Sequence, residues 1–167
     1  MQIDATLLAV SSLLLLLALA QNWEGQWQGT LQNFPTRPNS KPVDVNLEIG
    51  ALPKTANSCT TWRTTYSESG QVRQVKDYRL CRGNSSEDWF LDEGNGIKLA
   101  AQWIGDVLVC PFKYDKLLLI TTTRLQGDTL EEEILTIDDQ PASTGVLPLK
   151  ARNIQRLRFQ RKESNKK

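Results

Sequence analysis

Histidine is absent from the chain. That removes Ser-His-Asp and Cys-His nucleophile arrangements, His-based zinc sites and His-ligated haem. Catalysis would fall to carboxylates, Lys, Tyr, Ser, Thr or Cys. The densest acidic stretch is Glu131-Glu132-Glu133, followed by Asp138-Asp139. On a strand, Glu131 and Glu133 share one face and Glu132 points the opposite way. Two carboxylates on one face could divide into acid and base, or hold a hard cation. Leu135 and Ile137 continue the Glu131/Glu133 face, while Ile134 follows Glu132, so the pattern does not decide which face is wet. A solvated acidic strand fits the same residues without chemistry and ranks ahead of a carboxylate enzyme.

Three cysteines, Cys59, Cys81 and Cys110, come next. No C-x-x-C occurs, which argues against a thiolate metal site; no cofactor and no metal are expected. Thr60 to Tyr66 and Val72 to Leu80 are rich in β-formers and flank the turn cluster Ser67-Glu68-Ser69-Gly70-Gln71. A three-residue loop at Ser69-Gly70-Gln71 puts Cys59 opposite Cys81. The same register puts Trp62 opposite Tyr78 and Arg63 opposite Asp77. A disulfide, an aromatic pair and an ion pair thus follow from one alignment. Cys110 is left over. It reads as a buried thiol acting as a small apolar residue, or as a free or intermolecularly paired thiol.

Aromatic side chains are the other resource. Trp62, Tyr78, Trp89, Phe90, Trp103 and Phe112 could line a cavity for a small apolar or amphipathic ligand, with Arg63 or Arg79 for a carboxylate head. The same aromatics could instead fill the interior solid. Lys plus Arg total 20 and Asp plus Glu total 19, so the overall charge does not point to nucleic acid. From Lys150 to Lys167 there are eight Lys or Arg and one acid. That end could meet an anionic partner, or be a strand with a charged outer face and a solubilising tail. A protein-interaction or inhibitor module is therefore the alternative to a ligand carrier.

Strands must position these groups. From Trp23, the odd positions Trp23, Gly25, Trp27, Gly29 and Leu31 alternate with Glu24, Gln26, Gln28 and Thr30. Val43, Val45, Leu47 and Ile49 alternate with Asp44, Asn46 and Glu48. Period two with one dry face marks half-buried strands. Further strands follow over Asp88–Leu91, Ile97–Trp103, Val107–Phe112, Leu117–Leu125, Leu130–Ile137 and about Ala151–Gln160, with Gly- or Asp-bearing turns between most of them. About ten short strands without a capped helical stripe predict one all-β, antiparallel up-and-down barrel over residues 21–162.

Residues 7–20 form an apolar run shorter than a spanning helix requires, ending in Ala18-Leu19-Ala20 before Gln21. This is the pattern of a cleaved secretory signal over residues 1–20, although Asp4 stands where Lys or Arg is usual. A secreted protein without stable membrane insertion follows, in a compartment where disulfides persist. Asn84-Ser85-Ser86 is a glycosylation sequon in an expected loop. Residues 163–167 read as a charged flexible tail.

Gly25-Gln26-Trp27 resembles the G-x-W signature of calycins, the group of lipocalins, fatty-acid-binding proteins and nitrobindin-like barrels. The resemblance implies a calycin-like barrel whose Trp27 closes the floor. It also implies an arginine from near the chain end across that ring, here Arg156 or Arg158. Three departures limit what carries over. The T-D-Y-type motif is not in its place, since Lys76-Asp77-Tyr78 lies too early. No helix precedes the last strand as in lipocalins, and no histidine is present for the haem of a nitrobindin-like barrel.

The leader reading has a direct check. N-terminal sequencing of the protein from culture medium is expected to start at or beside Gln21, and a start at Met1 would contradict it.

Overall fold

Val43, Val45, Leu47 and Ile49 can all be dry only if the sheet that carries them hides one face. The computed structural model, which describes residues 22–36, 38–140, 145 and 148–163, shows how. The expected signal at 1–20 and the tail beyond Glu163 lie outside the described residues. Ten strands run β1 (Gly25–Phe34), β2 (Val43–Ile49), β3 (Ser58–Glu68), β4 (Gln71–Arg82) and β5 (Trp89–Asp92). They continue β6 (Lys98–Ile104), β7 (Val107–Tyr114), β8 (Leu117–Gln126), β9 (Thr129–Asp138) and β10 (Ala151–Arg161). Each pairs antiparallel with its sequence neighbours, and β1 also pairs with β10, so the sheet closes into a barrel. Closure leaves no edge strand to template aggregation. No helix occurs among the described residues.

The seam between β1 and β10 depends on a missing side chain. A Cβ on Gly29 would lie 1.8 Å from the Arg158 carbonyl oxygen. The two backbones therefore meet at a distance only glycine permits. The seam register sets Trp27 opposite Arg161, Leu31 opposite Leu157 and Asn33 opposite Gln155.

The β3–β4 hairpin carries the Cys59–Cys81 disulfide. Trp62 faces Tyr78 and Arg63 faces Asp77, as the expected alignment requires. The turn itself differs from expectation. Ser69 and Gly70 form a two-residue turn with φ of 51° and 77°, and Glu68 pairs directly with Gln71. Positive φ at both central residues matches the twist of the strands. The register slips between Tyr66 and Ser67, and this bulge supplies the residue that the expected three-residue loop would have held.

Inward side chains divide the lumen by height. All five tryptophans, Trp23, Trp27, Trp62, Trp89 and Trp103, lie at or above the end where the chain enters and leaves the barrel. Trp23 meets Trp103 edge-on at 5.1 Å between centroids, and Trp89 meets Trp103 at 6.2 Å. Leu47, Leu80, Leu125, Leu130, Leu157 and Phe159 complete a solid floor. Towards the opposite end, the mouth, inward positions turn polar. Phe34, Ile97, Tyr114 and Leu149 stand exposed around that end.

The disulfide closes a sequence separation of 22 residues. Cross-linking a loop of that size stabilises a chain by about 3 kcal/mol, chiefly by restricting the unfolded ensemble. The double variant Cys59→Ser/Cys81→Ser is expected to lose about that much in urea denaturation, with unchanged far-ultraviolet circular dichroism.

Candidate functional site

A cavity of about 140 Å³ lies inside the barrel above the tryptophan floor. Trp62, Phe112, Leu91, Leu99, Leu119 and Ile134 give it apolar wall. Thr64, Tyr66, Lys76, Tyr78, Glu93, Cys110, Thr121, Glu132 and Gln155 give it polar wall. Above it, a depression of about 470 Å³ opens at the mouth among Asn33, Thr136, Arg152, Asn153 and Gln155 of the strands and Pro35, Thr36 and Pro38 of the β1–β2 loop. Gln155 belongs to both, and its amide donates to Asn33 Oδ1 at 3.0 Å across the β1–β10 seam.

Strand parity decides which groups reach this space. On β9, Leu130, Glu132 and Ile134 point inward, so Glu131 and Glu133 point outward. Outside, they meet arginines of the neighbouring strands. Arg158 Nε donates to Glu131 at 2.7 Å, Arg156 donates to Glu133 at 2.6 and 2.8 Å, and Arg124 reaches Glu133 at 3.4 Å. Arg152 also pairs with Asp138. The acidic pair considered for catalysis is thus an external ion-pair ladder with no interior access. Arg156 and Arg158 of the basic end are engaged in it and Arg152 pairs with Asp138 at the mouth, while Lys150 and Lys162 stand exposed.

The arginine across Trp27 is Arg161, a correction to Arg156 or Arg158. Its guanidinium carbon lies 4.1 Å from the Trp27 ring centroid. It donates to Glu24 O at 2.6 Å and to Asn22 O, while Trp27 Nε1 donates to Trp23 O at 3.1 Å. Arg156 and Arg158 have the wrong parity, since inward positions on β10 are odd-numbered. Gly25 has φ of 146°, and a Cβ there would sit 2.6 Å from Arg161 Nη1. The glycine therefore makes room for the arginine.

The other expected ligand residues separate in the same way. Trp62, Tyr78 and Phe112 line the cavity. Trp89 and Trp103 pack in the floor instead, with Trp89 Nε1 donating to Ser86 O at 2.9 Å. Arg63, Arg79 and Phe90 face outward. Arg63 stands 3.9 Å from Asp77, and Lys98 lies over the Phe90 ring at 4.8 Å. The arginines are therefore not available to a carboxylate inside, because each lies between two inward residues of its strand. The interior cation is Lys76, whose Nζ is 5.5 Å from the Tyr66 ring centroid. Asn84 is exposed in the β4–β5 loop. Sequence reasoning did not select Lys76, Tyr66, Glu93, Gln155 or Glu132. The signal for Glu132 was the alternation of Arg156 and Arg158 on β10, which calls for acids on the outward face of its neighbour.

Burial shapes the chemistry of this space. Glu132 retains some surface, but that surface opens on the cavity rather than on bulk water. Desolvation pushes its carboxyl pKa upward, opposed by Lys76 and by the Thr123 hydroxyl, which donates to Oε2 at 3.4 Å. No cation lies within ion-pair distance of Glu132 among the described residues. Burial, then Glu132 and Glu93, push the Cys110 thiol up to about 11. Burial, then Glu93, push the Tyr78 phenol up to about 12. Tyr66 is shifted upward by burial and then by Glu132. Each of these four shifts inside the lumen resists negative charge. Cys110 is accordingly protonated and a poor nucleophile near neutral pH.

No protein-family model and no curated protein matches this chain. Among solved structures, the crystal structure of Rv2717c from M. tuberculosis is similar, with 16% sequence identity and a TM-score of 0.49. The match covers 97% of this chain and 100% of that one.

The carboxyl inside the barrel makes stability depend on pH. Unfolded, Glu132 loses its proton in the ordinary carboxylate range; folded, it keeps that proton to higher pH. The folded chain then holds the extra proton, so this contribution is complete below the unfolded pKa and is lost as pH rises through the folded one. The slope approaches about 1.4 kcal/mol per pH unit in that interval. Glu132→Gln is expected to flatten it in urea titrations at stepped pH. An unchanged slope would show that Glu132 ionises freely.

Proposed function

We propose that this protein is a secreted, non-catalytic, calycin-like carrier that holds a small amphipathic ligand inside its barrel. The internal cavity carries this reading: it joins aromatic and aliphatic wall to converging polar groups, as a site for an amphipathic ligand does. The tryptophan floor leaves the mouth as the entry, where the depression shares Gln155 with the cavity. Gly25, Trp27 and Arg161 support the calycin likeness through the floor that the G-x-W pattern implies. Secretion is supported by the apolar leader ending at Ala20, and the disulfide is compatible with it. Binding would draw on apolar burial at about 25 cal/mol per Å², with the polar wall setting orientation.

Native mass spectrometry of the protein collected from its source tests this. The expected spectrum contains a mass exceeding the polypeptide by one small organic molecule. Thr121→Phe, which projects a ring into the cavity, should abolish the adduct while preserving the near-ultraviolet circular dichroism of the tryptophan floor. A bare polypeptide mass, or a stable protein partner in place of a small molecule, would instead favour an interaction module.

A further inference from the structure

The cavity holds more than room for an apolar body. Two carboxyls, Glu132 within β9 and Glu93 just beyond β5, line the same cavity as one ammonium, Lys76 of β4, and Glu93 Oε2 also accepts from Asn95 Nδ2 at 3.2 Å. β4 and β9 stand across the lumen from each other. Lys76 Nζ rests against the Tyr66 ring rather than on Glu132. The deep carboxyl therefore has only the 3.4 Å Thr123 hydroxyl as a side-chain partner among the described residues. Aromatic wall surrounds the gap in Trp62, Tyr66, Tyr78 and Phe112, and the placement of Lys76 shows that an ammonium can sit on a ring there. Cations are attracted to such faces, the more so when desolvated.

We propose that the cavity selects a small protonated amine, its ammonium placed between Glu132 and the aromatic wall and its apolar body resting on Phe112, Leu119 and Ile134. This names the ligand class of the carrier reading and rests on it. Two carboxyls and one ammonium line the space, so once an arriving ammonium draws Glu132 into its ionised form the balance favours a cation over an anion. The upward shifts of Tyr66, Tyr78 and Cys110 agree, because each records burial reinforced by a neighbouring carboxyl or phenol. A cavity of about 150 Å³ accommodates one benzene ring, so a single-ring amine matches the space of about 140 Å³. Burial shifts the Glu132 carboxyl towards its protonated form, and an arriving ammonium shifts it back towards the ionised one. Amine binding should then expel a proton to solvent, with Lys76, Glu93, Tyr66, Tyr78 and Cys110 as the other titratable groups facing the site.

The experiment uses benzylamine, benzyl alcohol and benzoate, which share a ring and differ in the head group. Each is titrated into the full chain by calorimetry in two buffers of different ionisation enthalpy. Benzylamine is expected to bind at least tenfold more tightly than the other two, with a buffer-dependent heat reporting the released proton. Glu132→Gln should lose tenfold or more for benzylamine, together with the buffer dependence, and change little for benzyl alcohol. Lys76→Met should retain or tighten benzylamine binding, since it removes a like charge. Tighter benzoate binding that Lys76→Met destroys would overturn the proposal in favour of an anion site while leaving the carrier reading intact. Equal affinity for all three probes would overturn it too. So would binding of none of them by a protein that carries a small molecule from its source. Absence of both probe binding and any source-derived molecule would end the carrier reading along with it.

Discussion

A ten-strand meander becomes a barrel only where its two ends meet, and here the ends are held by Arg161 over Trp27. The guanidinium spends its charge on an indole face and on two backbone carbonyls of the entering chain, Glu24 and Asn22. These partners satisfy its donors without another ionic group, avoiding the cost of desolvating a matched ion pair. Gly25 clears space for the guanidinium, and Gly29 lets the strands meet four residues further on. Replacing any of these groups by a larger or shorter one would weaken the seam and floor together. The solidity of the floor follows: Trp23, Trp27, Trp89, Trp103 and a ring of leucines pack there, beneath Trp62 of the cavity wall. Openness is consequently confined to the other end.

That confinement gives the interior its unusual electrostatics. With the floor dry, a carboxyl on the inward face of β9 is reached only through the mouth, and it feels low dielectric as well as its neighbours. Outside the same strand, Glu131 and Glu133 have close arginine partners and face water. Three consecutive glutamates thus occupy two different chemical environments, separated by nothing but the alternation of the pleat. A one-residue slip of β9 would exchange them, placing two acids inside and stripping Arg156 and Arg158 of partners. The ladder therefore helps fix the register that puts Glu132 in the cavity.

The barrel was legible in the sequence wherever alternation was clean, as in β1 and β2, and in the β3–β4 register, where cysteine, aromatic and charged pairs agreed. The turn of that hairpin was less legible, because a three-residue loop and a two-residue turn with a bulge deliver the same register further down the strands. The site was harder to read. Aromatic character alone does not separate Trp62, Tyr78 and Phe112 from Phe90, which parity puts outside. Charge alone likewise suggests Arg63 and Arg79, although the Arg63–Asp77 pair implies an outward face once Trp62 is dry. In β9 both faces carry acids and aliphatics, so hydrophobicity gives no period there. Only the pairing with β10 breaks the tie, and pairing is a property of two strands rather than one.

Glu132 is costly where it stands. A leucine at the same place would continue the Leu130–Ile134 face, remove the desolvation penalty and add packing to a half-filled lumen. The surrounding wall could absorb such a residue, since the cavity has room for one. Thr123 offsets little of the cost at 3.4 Å, and Lys76, the nearest available charge, is directed to Tyr66 instead. A fold that invests in a dry floor and a paired outer face yet leaves its inner acid without an ion-pair partner has sacrificed stability at one point. Proteins tolerate such local deficits chiefly at functional sites, where the missing partner comes from outside. The group that would complete Glu132 is a cation small enough to pass the mouth, and the aromatic wall beside it is the environment in which a desolvated cation is held best.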